Sequence, residues 1–435
     1  MQGFVGLGNM GAAIAEQLLD NGAPLLVYDV NAAAIALLEK AGATACSSAR
    51  EIADRATLVI TCLPAPAVSL TIAQEIAAGA RVEIMADLST IGRSTIIEMG
   101  CVLAAAGIQL VDAPVSGGPL GARMGTLSLM LAGPRDAARR VEETLSPVSG
   151  KTTYIGAAAG QAQLAKLVNN GISMTAFLVS CEVVAAAVGR GLAARDIVAY
   201  VNQGRGRNSG TVTKLPRNIL DRTFDVGPTL VSALKDQDLF LEEYREASLP
   251  EGVIAGTREL WGRTTSVLDP HGDAATIVQY FERFTGAEVT TTGGRDDAVR
   301  AGDHELLELA DDAIAFAVLA ATCEAVAVGM AGGIEPAIQL ELLNAGTARS
   351  YWSEDILGTQ ILSRRFNSGI SIGKACDRLQ SYLELAAGTG LPAGLVDSAL
   401  AVWKKAATEI GANRDVTELM LLLEQKVGAK FIERA

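Results

Sequence analysis

The part of the chain that begins near Glu182 repeats itself at a constant offset of 142 in residue number. Identical residues recur at this offset as Glu182 and Glu324, Asn202 and Asn344, Gly204 and Gly346, Arg207 and Arg349, Leu249 and Leu391, Pro250 and Pro392, Gly252 and Gly394, Trp261 and Trp403, Asp273 and Asp415, and Glu282 and Glu424. Around Lys235 and Lys374 the offset is 139, which an indel of three residues would explain. A register held over such a distance predicts two related structural copies in tandem.

Long runs rich in Ala, Leu and Val begin at about Gly160 and continue without a further strand pattern. Such runs are typical of buried helices. Residues 286–302 interrupt them with a polar stretch rich in Gly and Thr, which predicts a linker between the copies. We therefore expect three domains, residues 1–160, 161–290 and 291–435, of which the last is a degenerate copy of the second.

Short apolar runs alternate with helical stretches from the N-terminus to about Pro114. The apolar runs are GFVGLG, PLLVYDV, LVITCLP, VEIMADLS and IQLVDAP. Strands separated by helices of this length form a parallel sheet from right-handed βαβ units. The predicted fold class is therefore an α/β Rossmann-like N-terminal domain followed by a duplicated all-α helical domain.

The composition narrows the partners and the location of the chain. A formal net charge of −13 repels nucleic acid and anionic lipid. No basic segment precedes the first apolar strand, and no uncharged apolar run reaches the length that spans a membrane. We therefore expect no nucleic-acid partner, no membrane association and a cytoplasmic location.

Cysteine and histidine offer little reactive chemistry in this sequence. The six cysteines are scattered without a CxxC pair, so we expect reduced core residues and no metal site. The two histidines, His271 and His304, lie in polar contexts, which leaves little basis for a Ser-His-Asp or Cys-His arrangement. The acid or base of any reaction must therefore be another type of residue.

A glycine-rich turn follows the first predicted strand and opens a helix. It consists of Gly6, Leu7, Gly8, Asn9, Met10 and Gly11. In a dinucleotide-binding fold such glycines allow a tight turn, close approach of the pyrophosphate and close packing of the helix. The motif alone also fits a plain strand-to-helix turn, but its βαβ setting favours binding of NAD or NADP.

Asp29 closes the second predicted strand, downstream of the helix that Gly11 opens. A carboxylate there can accept hydrogen bonds from the adenosine ribose and repel a 2′-phosphate, which favours NAD over NADP. The alternative is that Asp29 caps the helix that begins near Asn31. Leu63 and Pro64, at the end of the LVITCLP run, complete the cofactor-binding residues expected on this side.

Two further segments follow predicted strands. Residues 112–118, DAPVSGG, can form a nest of backbone N–H groups and a serine hydroxyl for an anionic oxygen. Taken alone, this segment is equally well interpreted as a structural turn. Residues 87–90, DLST, are either a helix N-cap or a contact for the nicotinamide side of the cofactor.

Lys166 and Asn170 lie four residues apart, which places them on one face of an otherwise apolar helix. A lysine on such a face usually extends its ammonium to water. The neighbouring dinucleotide-binding domain favours a catalytic role instead.

Taken together, these motifs resemble those of the β-hydroxyacid dehydrogenase family, over residues 1 to about 285. The shared pattern comprises the GLGNMG turn, the DLST and DAPVSGG segments, a helix with Gly160, Lys166 and Asn170, and a later Lys235-Asp236 pair. Five motifs in the same order make the resemblance specific. It implies an NAD(P)-dependent enzyme that interconverts a small β-hydroxy acid and its oxo form.

The resemblance also implies roles for the residues around the substrate. Ser116, Gly117 and Gly118 would hold the acid group of a small anionic substrate, whether a carboxylate, a phosphonate or a sulfonate. Thr90 and Lys235 would line the nicotinamide side of the cofactor, and Lys235 would also contact the substrate. No metal ion is implied.

The catalytic roles implied by the resemblance fall to Lys166 and Asn170. Lys166 would exchange a proton with the reacting oxygen while the nicotinamide exchanges a hydride with the carbon. We expect partial desolvation to lower the pKa of this lysine. Asn170 would orient the substrate hydroxyl.

The second helical copy departs from this family pattern and resembles the duplicated helical part of 6-phosphogluconate dehydrogenases. At the offset of 142, Lys166 and Asn170 correspond to Glu308 and Asp312, so the catalytic pair is absent from the second copy. We expect this copy to replace a partner subunit, giving an internal pseudo-dimer, and the sequence leaves an additional homodimer open.

A basic segment lies within the first helical copy of this acidic chain. It contains Arg205, Arg207, Lys214 and Arg217. One hypothesis is that one of these cations reaches the substrate head group and suits a dianionic acid. A solvated loop is the simpler interpretation.

Three other functions stay open at the level of sequence. The duplication also fits an oxidative decarboxylase resembling 6-phosphogluconate dehydrogenase, which would release carbon dioxide. The fold fits an imine reductase, although such relatives usually lack a lysine at the position of Lys166. The third is a nucleotide-binding scaffold without turnover.

Overall fold

The computed structural model of the chain describes residues 1–291, 301–392 and 394–432. The chain divides into two compact units, Met1–Leu167 and Val168–Ala435. The first unit contains a nine-stranded sheet with helices, and the described residues of the second are helical with connecting turns. The predicted combination of a Rossmann-like α/β part and an all-α part is confirmed.

The sheet of the first unit has a parallel core with a mixed edge. Its strands are β1 (Gln2–Val5), β2 (Leu25–Tyr28), β3 (Thr44–Ala45), β4 (Leu58–Thr61), β5 (Ile84–Asp87), β6 (Gln109–Asp112), β7 (Val115–Ser116), β8 (Leu127–Ala132) and β9 (Ser149–Gly156). The first six pair in parallel in the order β3-β2-β1-β4-β5-β6. This order is typical of dinucleotide-binding folds. At the edge, β8 pairs antiparallel with β6 and β7 and parallel with β9.

Seven helices lie within the first unit. They are α1 (Asn9–Asp20), α2 (Ala32–Lys40), α3 (Ala49–Arg55), α4 (Pro66–Ala77), α5 (Arg93–Ala105), α6 (Gly118–Arg123) and α7 (Arg135–Leu145). A short 3₁₀ turn, Ser146–Val148, follows α7. An eighth helix, α8 (Gln161–Gly189), begins in the first unit and continues into the second.

Both faces of the parallel sheet are covered. Phe4 and Ile60 belong to one buried cluster, together with side chains of α1 and α7. Val5 and Val59 belong to a second cluster, together with side chains of α3, α4 and α5. Burial on two faces explains why these strands appear in the sequence as continuous apolar runs.

The five predicted strand runs are confirmed by β1, β2, β4, β5 and β6, each of which ends before its apolar run does. The sequence pattern does not predict β3, β7, β8 or β9. The strands β3 and β7 contain only two residues each, and β9 carries exposed positions such as Lys151 that interrupt its apolar character.

The second unit is built from helices. The α-helices that complete it after α8 are α9 (Ala194–Val201), α10 (Leu230–Glu246), α11 (Val253–Thr265), α12 (Val278–Thr285), α13 (Ala301–Ala331), α14 (Pro336–Ala345), α15 (Ile372–Ala386), α16 (Leu395–Ala406) and α17 (Leu419–Val427). Wider π-helical segments are Gly210–Ile219, Trp352–Leu362 and Ala407–Gly411. Short 3₁₀ turns are Ala274–Ile277, Ala387–Thr389 and Val416–Glu418. Of the predicted linker, residues 292–300 lie outside the described residues, and the division of this part into two domains stays a prediction.

Among the residues that the structure describes, two helices are long and apolar enough to cross a bilayer, judged by length and composition. They are Gln161–Gly189 and Asp303–Ala331, which a search for runs without any charged residue does not find. The most apolar windows of these helices are 94% and 100% buried within the protein. Burial of this kind is also what the central helices of a bundle show.

Contacts within the second unit repeat with the sequence. The N–H of Ser209 donates to the carbonyl of Arg349 at 2.9 Å, and the N–H of Tyr351 donates to the carbonyl of Arg207 at 2.9 Å. Each bond becomes the other when its residues are shifted by 142. Such reciprocity is the contact pattern of a twofold-symmetric interface.

Two buried glutamates also form reciprocal hydrogen bonds between the copies. Glu182 in the first copy accepts from the N–H of Leu395 at 2.8 Å, at the start of α16 in the second copy. Glu324 in the second copy accepts from the N–H groups of Val253 at 3.1 Å and Ile254 at 3.0 Å, at the start of α11 in the first. Each carboxylate thus satisfies helix donors of the opposite copy. Burial raises the pKa of both glutamates to about 7.

The register of 142 holds where the sequence suggests an offset of 139. Thr229 and Ser371, which are related by the offset of 142, cap α10 and α15 through their hydroxyl oxygens. Lys235 in α10 therefore corresponds to Asp377 in α15 and not to Lys374. The inferred indel of three residues is wrong, and the two lysines match by coincidence.

The cysteines are not all core residues. Cys46, Cys181 and Cys323 are buried, but Cys62 and Cys376 are only partly buried and Cys101 is exposed on α5. The expectation of a core role is therefore wrong for Cys101. Within the described part of the chain, no three His, Cys, Asp or Glu side chains converge as a metal site requires.

Candidate active site

A cleft of about 520 Å³ opens in the first unit at the carboxyl ends of β1, β2 and β4. The predicted cofactor residues that line it are Gly6, Gly8, Asn9, Met10, Gly11, Asp29, Leu63 and Pro64. Lining residues that the sequence does not predict are Val5, Tyr28, Val30, Cys62, Val68 and Ile72. The crevice outside the carboxyl ends of the strands is where open α/β sheets bind ligands.

The glycines of the turn are required for different steric reasons. Gly6 has a φ of +94°, and a Cβ on it would lie 2.3 Å from the carbonyl oxygen of Cys62. A Cβ on Gly11 would lie 2.0 Å from the carbonyl oxygen of Gly6. A Cβ on Gly8 would meet no protein atom within 4 Å, so packing does not demand a glycine there. The open side of Gly8 instead allows a ligand to approach the backbone.

The N-terminus of α1 is suited to an anion. No side chain caps this helix and its first turn contains no acidic residue. Gly8 and Asn9, where the helix begins, are both exposed. The first N–H groups of a helix without a side-chain cap are available to a phosphate. Together with the glycine turn, this helix start fits a dinucleotide pyrophosphate.

Asp29 holds the glycine turn from the end of β2. Its carboxylate accepts from the N–H of Leu7 at 2.5 Å and from the N–H of Asn31 at 2.7 Å. The side chain that caps α2 belongs to Asn31, which accepts from the N–H of Ala33. The alternative in which Asp29 caps this helix is therefore wrong. Each carboxylate oxygen of Asp29 retains a lone pair for a ribose hydroxyl.

The turn after β5 is built around a buried carboxylate. Asp87 accepts from Thr61 Oγ1 at 2.7 Å and from the N–H of Ser89 at 2.8 Å, and burial raises its pKa to about 6. Ser89 Oγ accepts from the N–H of Leu63 at 2.8 Å, which ties this turn to the wall of the cleft. Thr90 is partly buried and does not line the cleft. Because α5 begins after Gly92, Asp87 is not its N-cap.

A second buried carboxylate fixes the start of the helix that carries Lys166. Asp112, the last residue of β6, accepts from Gln163 N–H at 2.9 Å and from Gln163 Nε2 at 3.1 Å. The amide of Gln163 also accepts from the N–H of Ile91 at 3.0 Å and donates to the carbonyl of Ser89 at 2.8 Å. Burial raises the pKa of Asp112 to about 7. Gln163 thus joins the turns after β5 and β6 to α8, a role that no sequence pattern reveals.

Lys166 is buried, with 8% of its surface exposed. It follows Gln163 by about one helical turn, near the end of the first unit. This burial contradicts the alternative in which the ammonium extends to water. The structure therefore holds Lys166 within the protein, close to the anchored start of α8.

The predicted acid-binding segment runs from the end of β7 through Gly117 to the start of α6. Gly117 and Gly118 have φ values of +130° and +68°, which residues with a side chain rarely adopt. Ser116 is partly buried, and both glycines are exposed. The turn therefore presents backbone beside a serine hydroxyl, as the anion nest requires.

Asn170 is held by hydrogen bonds within the second unit. Its Nδ2 donates to Asp236 Oδ2 at 2.8 Å, and Asp236 Oδ1 lies 3.0 Å from Lys235 Nζ. Asn170 Oδ1 also accepts from Asn169 Nδ2 at 3.3 Å. The structure therefore brings together Asn170 and the Lys235-Asp236 pair, which were identified as separate motifs.

The buried Asn169 connects this network to the second copy. Its Nδ2 donates to Thr347 Oγ1 at 2.9 Å, and its Oδ1 accepts from the N–H of Ala348 at 3.1 Å. The counterpart of Asn169 is Asp311, which accepts from the N–H of Gly206 in the first copy at 2.8 Å. Asn169 and Asp311 thus make equivalent contacts between the copies, but only Asn169 also contacts Asn170.

The second copy contains an ion-pair cluster at the positions that correspond to the predicted catalytic pair, Lys166 and Asn170. Asp312 Oδ2 lies 2.5 Å from Arg378 Nε, and Glu308, which stands in the position of Lys166, lies 3.5 Å from the same guanidinium. These groups line a separate cavity of about 290 Å³ together with Lys374. Two carboxylates paired with an arginine cannot supply the proton donor and the amide that are predicted for Lys166 and Asn170.

The basic segment of the first copy has two kinds of contact. Arg207 pairs with Asp355 at 2.9 Å and with Glu354 at 3.3 Å, so its guanidinium links the two copies. Lys214 points instead to α8, where its Nζ lies 3.4 Å from Ser173 Oγ. The simple interpretation as a solvated loop is therefore wrong for these two side chains.

Comparisons with known proteins find matches to both units. A family model described as the NAD binding domain of 6-phosphogluconate dehydrogenase matches residues 2–156. A second model, described as NAD-binding of NADP-dependent 3-hydroxyisobutyrate dehydrogenase, matches residues 160–281 and 305–423. The two matches of the second model fall on the two copies of the repeat.

Individual relatives match part of the chain. The 2-(hydroxymethyl)glutarate dehydrogenase of Eubacterium barkeri is 28% identical over 300 residues, 67% of this chain and 98% of the relative. The mitochondrial 3-hydroxyisobutyrate dehydrogenase of Mus musculus is 33% identical over 224 residues, 49% of this chain and 65% of the relative. The solved structure of a 3-hydroxyisobutyrate dehydrogenase from Mycobacterium tuberculosis with L-serine has a TM-score of 0.60 and 26% identity, and the match covers 64% of this chain and 98% of that one.

Proposed function

Because the chain belongs to the β-hydroxyacid dehydrogenase family, a group of NAD(P)-dependent enzymes that act on CH–OH groups, we propose that it interconverts a small β-hydroxy acid and its oxo acid, with Lys166 as proton donor and acceptor. The observation that carries this proposal is the burial of Lys166 directly after the link between Asp112 and Gln163. A buried lysine on a helix anchored in this way is held for chemistry rather than for solubility.

The cofactor would be held by the glycine turn, the start of α1 and Asp29. A bound dinucleotide supplies the hydride acceptor in oxidation and the hydride donor in reduction. We propose NAD rather than NADP, because the carboxylate of Asp29 disfavours a 2′-phosphate and no Lys or Arg lines the cleft of the fully described first unit. Comparing kcat/KM for NADH and NADPH tests this preference, and an Asp29→Ser variant should reduce it.

Lys166 acts on the reacting oxygen in this mechanism. As an ammonium it donates a proton to the oxygen of the oxo acid as negative charge develops there, and as a neutral amine it accepts the hydroxyl proton in the reverse direction. Burial strengthens this interaction because the surroundings screen the charge less than water does.

Asn170 has the remaining capacity to orient the hydroxyl. One of its two N–H donors is engaged by Asp236 and one oxygen lone pair by Asn169. One donor and one acceptor therefore remain for the substrate. The acid group of the substrate is assigned to Ser116, Gly117 and Gly118, where backbone N–H groups and a hydroxyl can bind an anionic oxygen.

The test is a spectrophotometric assay of nicotinamide reduction and oxidation with short hydroxy and oxo acids. Removing a general acid-base group lowers turnover by about 10²- to 10⁴-fold, so we expect this loss in kcat for Lys166→Ala with unchanged NADH affinity. Turnover that does not depend on Lys166 would refute the mechanism. Release of carbon dioxide would identify an oxidative decarboxylase, and NADH binding without turnover on any acid or imine would identify a scaffold.

We also propose that the second copy stands in for a partner subunit, so that one chain forms an internal pseudo-dimer. The reciprocal bonds of Glu182 and Glu324 and the contact of Asn169 with Thr347 support this proposal. A chain of 45.1 kDa should then keep full specific activity as a monomer when diluted, which sedimentation and activity measurements can follow together. Activity confined to a dimer would contradict it.

A further inference from the structure

The helix α8 carries a third polar position on the face of Lys166 and Asn170. Ser173 follows Asn170 by three residues and Lys166 by seven, so the helical repeat places all three on one side. Ser173 is buried, with 5% of its surface exposed. Its hydroxyl is the atom that Lys214 Nζ approaches at 3.4 Å.

Lys214 reaches this face from the π-helical segment Gly210–Ile219. Its ammonium lies 4.9 Å from the centre of the Phe177 ring. Among the residues that the structure describes, no carboxylate lies within 4 Å of this ammonium. Burial lowers the pKa of Lys214 to about 8, opposed by the Cys181 thiol and the more distant charge of Asp273. A partly buried ammonium with one hydroxyl neighbour retains donors for an anion.

The second copy lacks this arrangement just as it lacks the catalytic pair. At the offset of 142, Ser173 corresponds to Ala315 and Lys214 to Ile356, and both replacements are buried. The second copy keeps the equivalent long helix and π-helical segment without any polar group at either position. The helical fold that the two copies share therefore does not require a serine and a lysine at these two positions. Their occurrence only beside Lys166 and Asn170 is expected if all four serve one site.

We propose that Lys214 and Ser173 bind a second acidic group of the substrate, so that the enzyme prefers a hydroxy diacid to a hydroxy monoacid. This inference rests on the proposed function, since Lys166 and Asn170 on the same helix locate the reacting carbon. Ser173 lies about 4.5 Å from Asn170 and about 10 Å from Lys166 along the helix axis. A short carbon chain spans the distance from Asn170 to Ser173, and the ammonium of Lys214 donates a charge-assisted hydrogen bond to the second carboxylate.

The test compares a diacid and a monoacid as substrates for oxidation, with 2-(hydroxymethyl)glutarate and 3-hydroxyisobutyrate as the probes. A hydrogen bond to a charged group predicts a kcat/KM about 10- to 100-fold higher for the diacid in the wild-type enzyme. Lys214→Met should remove most of this preference, and Lys214→Arg, which keeps the charge, should retain part of it. Arg217→Ala, which removes an exposed cation from the same segment, should leave both kcat/KM values unchanged.

The outcomes separate this inference from the function on which it rests. Equal kcat/KM values for the two acids in the wild type, or equal losses for both in Lys214→Met, would overturn the diacid assignment and leave the dehydrogenase function intact. Absence of turnover with either acid would overturn the function itself. If Lys214→Met does not fold, inhibition of the wild type decides: glutarate should bind about tenfold more tightly than butyrate, and equal inhibition constants would refute the inference.

Discussion

Asn169 and Asp311 are a matched pair of buried side chains with different neighbours. Each accepts a backbone N–H from the opposite copy, from Ala348 at 3.1 Å in one case and from Gly206 at 2.8 Å in the other. Only Asn169 also donates to Asn170, at 3.3 Å. Asn169→Ala and Asp311→Ala therefore remove equivalent contacts between the copies, but only the first disturbs a residue of the proposed catalytic pair.

The expected losses of stability are similar for the two variants. Asn169→Ala removes the bonds to Thr347 and Ala348, and Asp311→Ala removes the bonds from the N–H groups of Arg205 and Gly206. With about 1 to 2 kcal/mol for each bond that leaves a buried partner unsatisfied, each variant should lose about 2 to 4 kcal/mol of unfolding free energy. Burial raises the pKa of Asp311 to about 6, so measurements at pH 8 compare it in its ionised state.

The expected effects on catalysis differ. Without Asn169, the amide of Asn170 loses one of its two constraints. Since a misplacement of about 1 Å costs about 100-fold in rate, we expect a loss of about 10- to 100-fold in kcat. Asp311→Ala should keep kcat within about twofold of the wild type, because no proposed catalytic residue adjoins it. Denaturant titration and steady-state kinetics on both variants give the comparison. Equal kcat values in the two variants would refute the argument that the second copy helps to position Asn170.

The buried carboxylates, the glycine turn and the reciprocal caps each give a further test. Burial raises the pKa of Asp112 from 3.8 to about 7, so the folded protein binds this proton more tightly than the unfolded chain. The resulting stabilisation is complete below about pH 4 and is lost as the pH rises to 7. Asp112→Asn should therefore flatten the decline in unfolding free energy over this range. An unchanged slope of unfolding free energy against pH, measured by denaturant titration, would contradict the raised pKa of Asp112. Gly8→Val should weaken NADH binding at least tenfold in fluorescence titrations with little change in Tm, because its side chain would fill only the space left for the ligand. Gly394→Ala places a Cβ 2.4 Å from Glu182 Oε1 and should cost about 1 to 3 kcal/mol of stability, and a Tm equal to that of the wild type would show that the reciprocal cap tolerates displacement.

The sequence predicts the parallel sheet well because local composition and burial agree there. Strands such as β4 and β5 are buried on both faces, which leaves continuous apolar runs that length and flanking turns identify. The edge strand β9 has the exposed residues Gly150 and Lys151 near its start and pairs with β8 alone, so its sequence resembles a polar loop. Its strand conformation comes from a neighbour rather than from its own composition.

The residues of the candidate site likewise fall into those that local sequence predicts and those that only the fold identifies. The glycine turn and Asp29 act within a single βαβ unit, so their spacing alone predicts the cleft that they line. Gln163 and Lys214 act through partners 51 and 41 residues away, Asp112 and Ser173 respectively. An amide in a first helical turn and a lysine in a basic segment have no distinguishing pattern, and only the fold assigns them partners.

The reciprocal contacts and the candidate catalytic residues place different demands on the two helical copies. Each buried glutamate, Glu182 or Glu324, caps a helix of the opposite copy, so the helix of one copy keeps its cap only while the other copy keeps its glutamate. Lys166 is needed only once, and Glu308 stands in its place without disturbing the shared fold. In a homodimer a substitution alters both sides of the interface together. In this chain each side can be changed alone, so a loss of catalysis can be separated from a loss of stability at equivalent contacts.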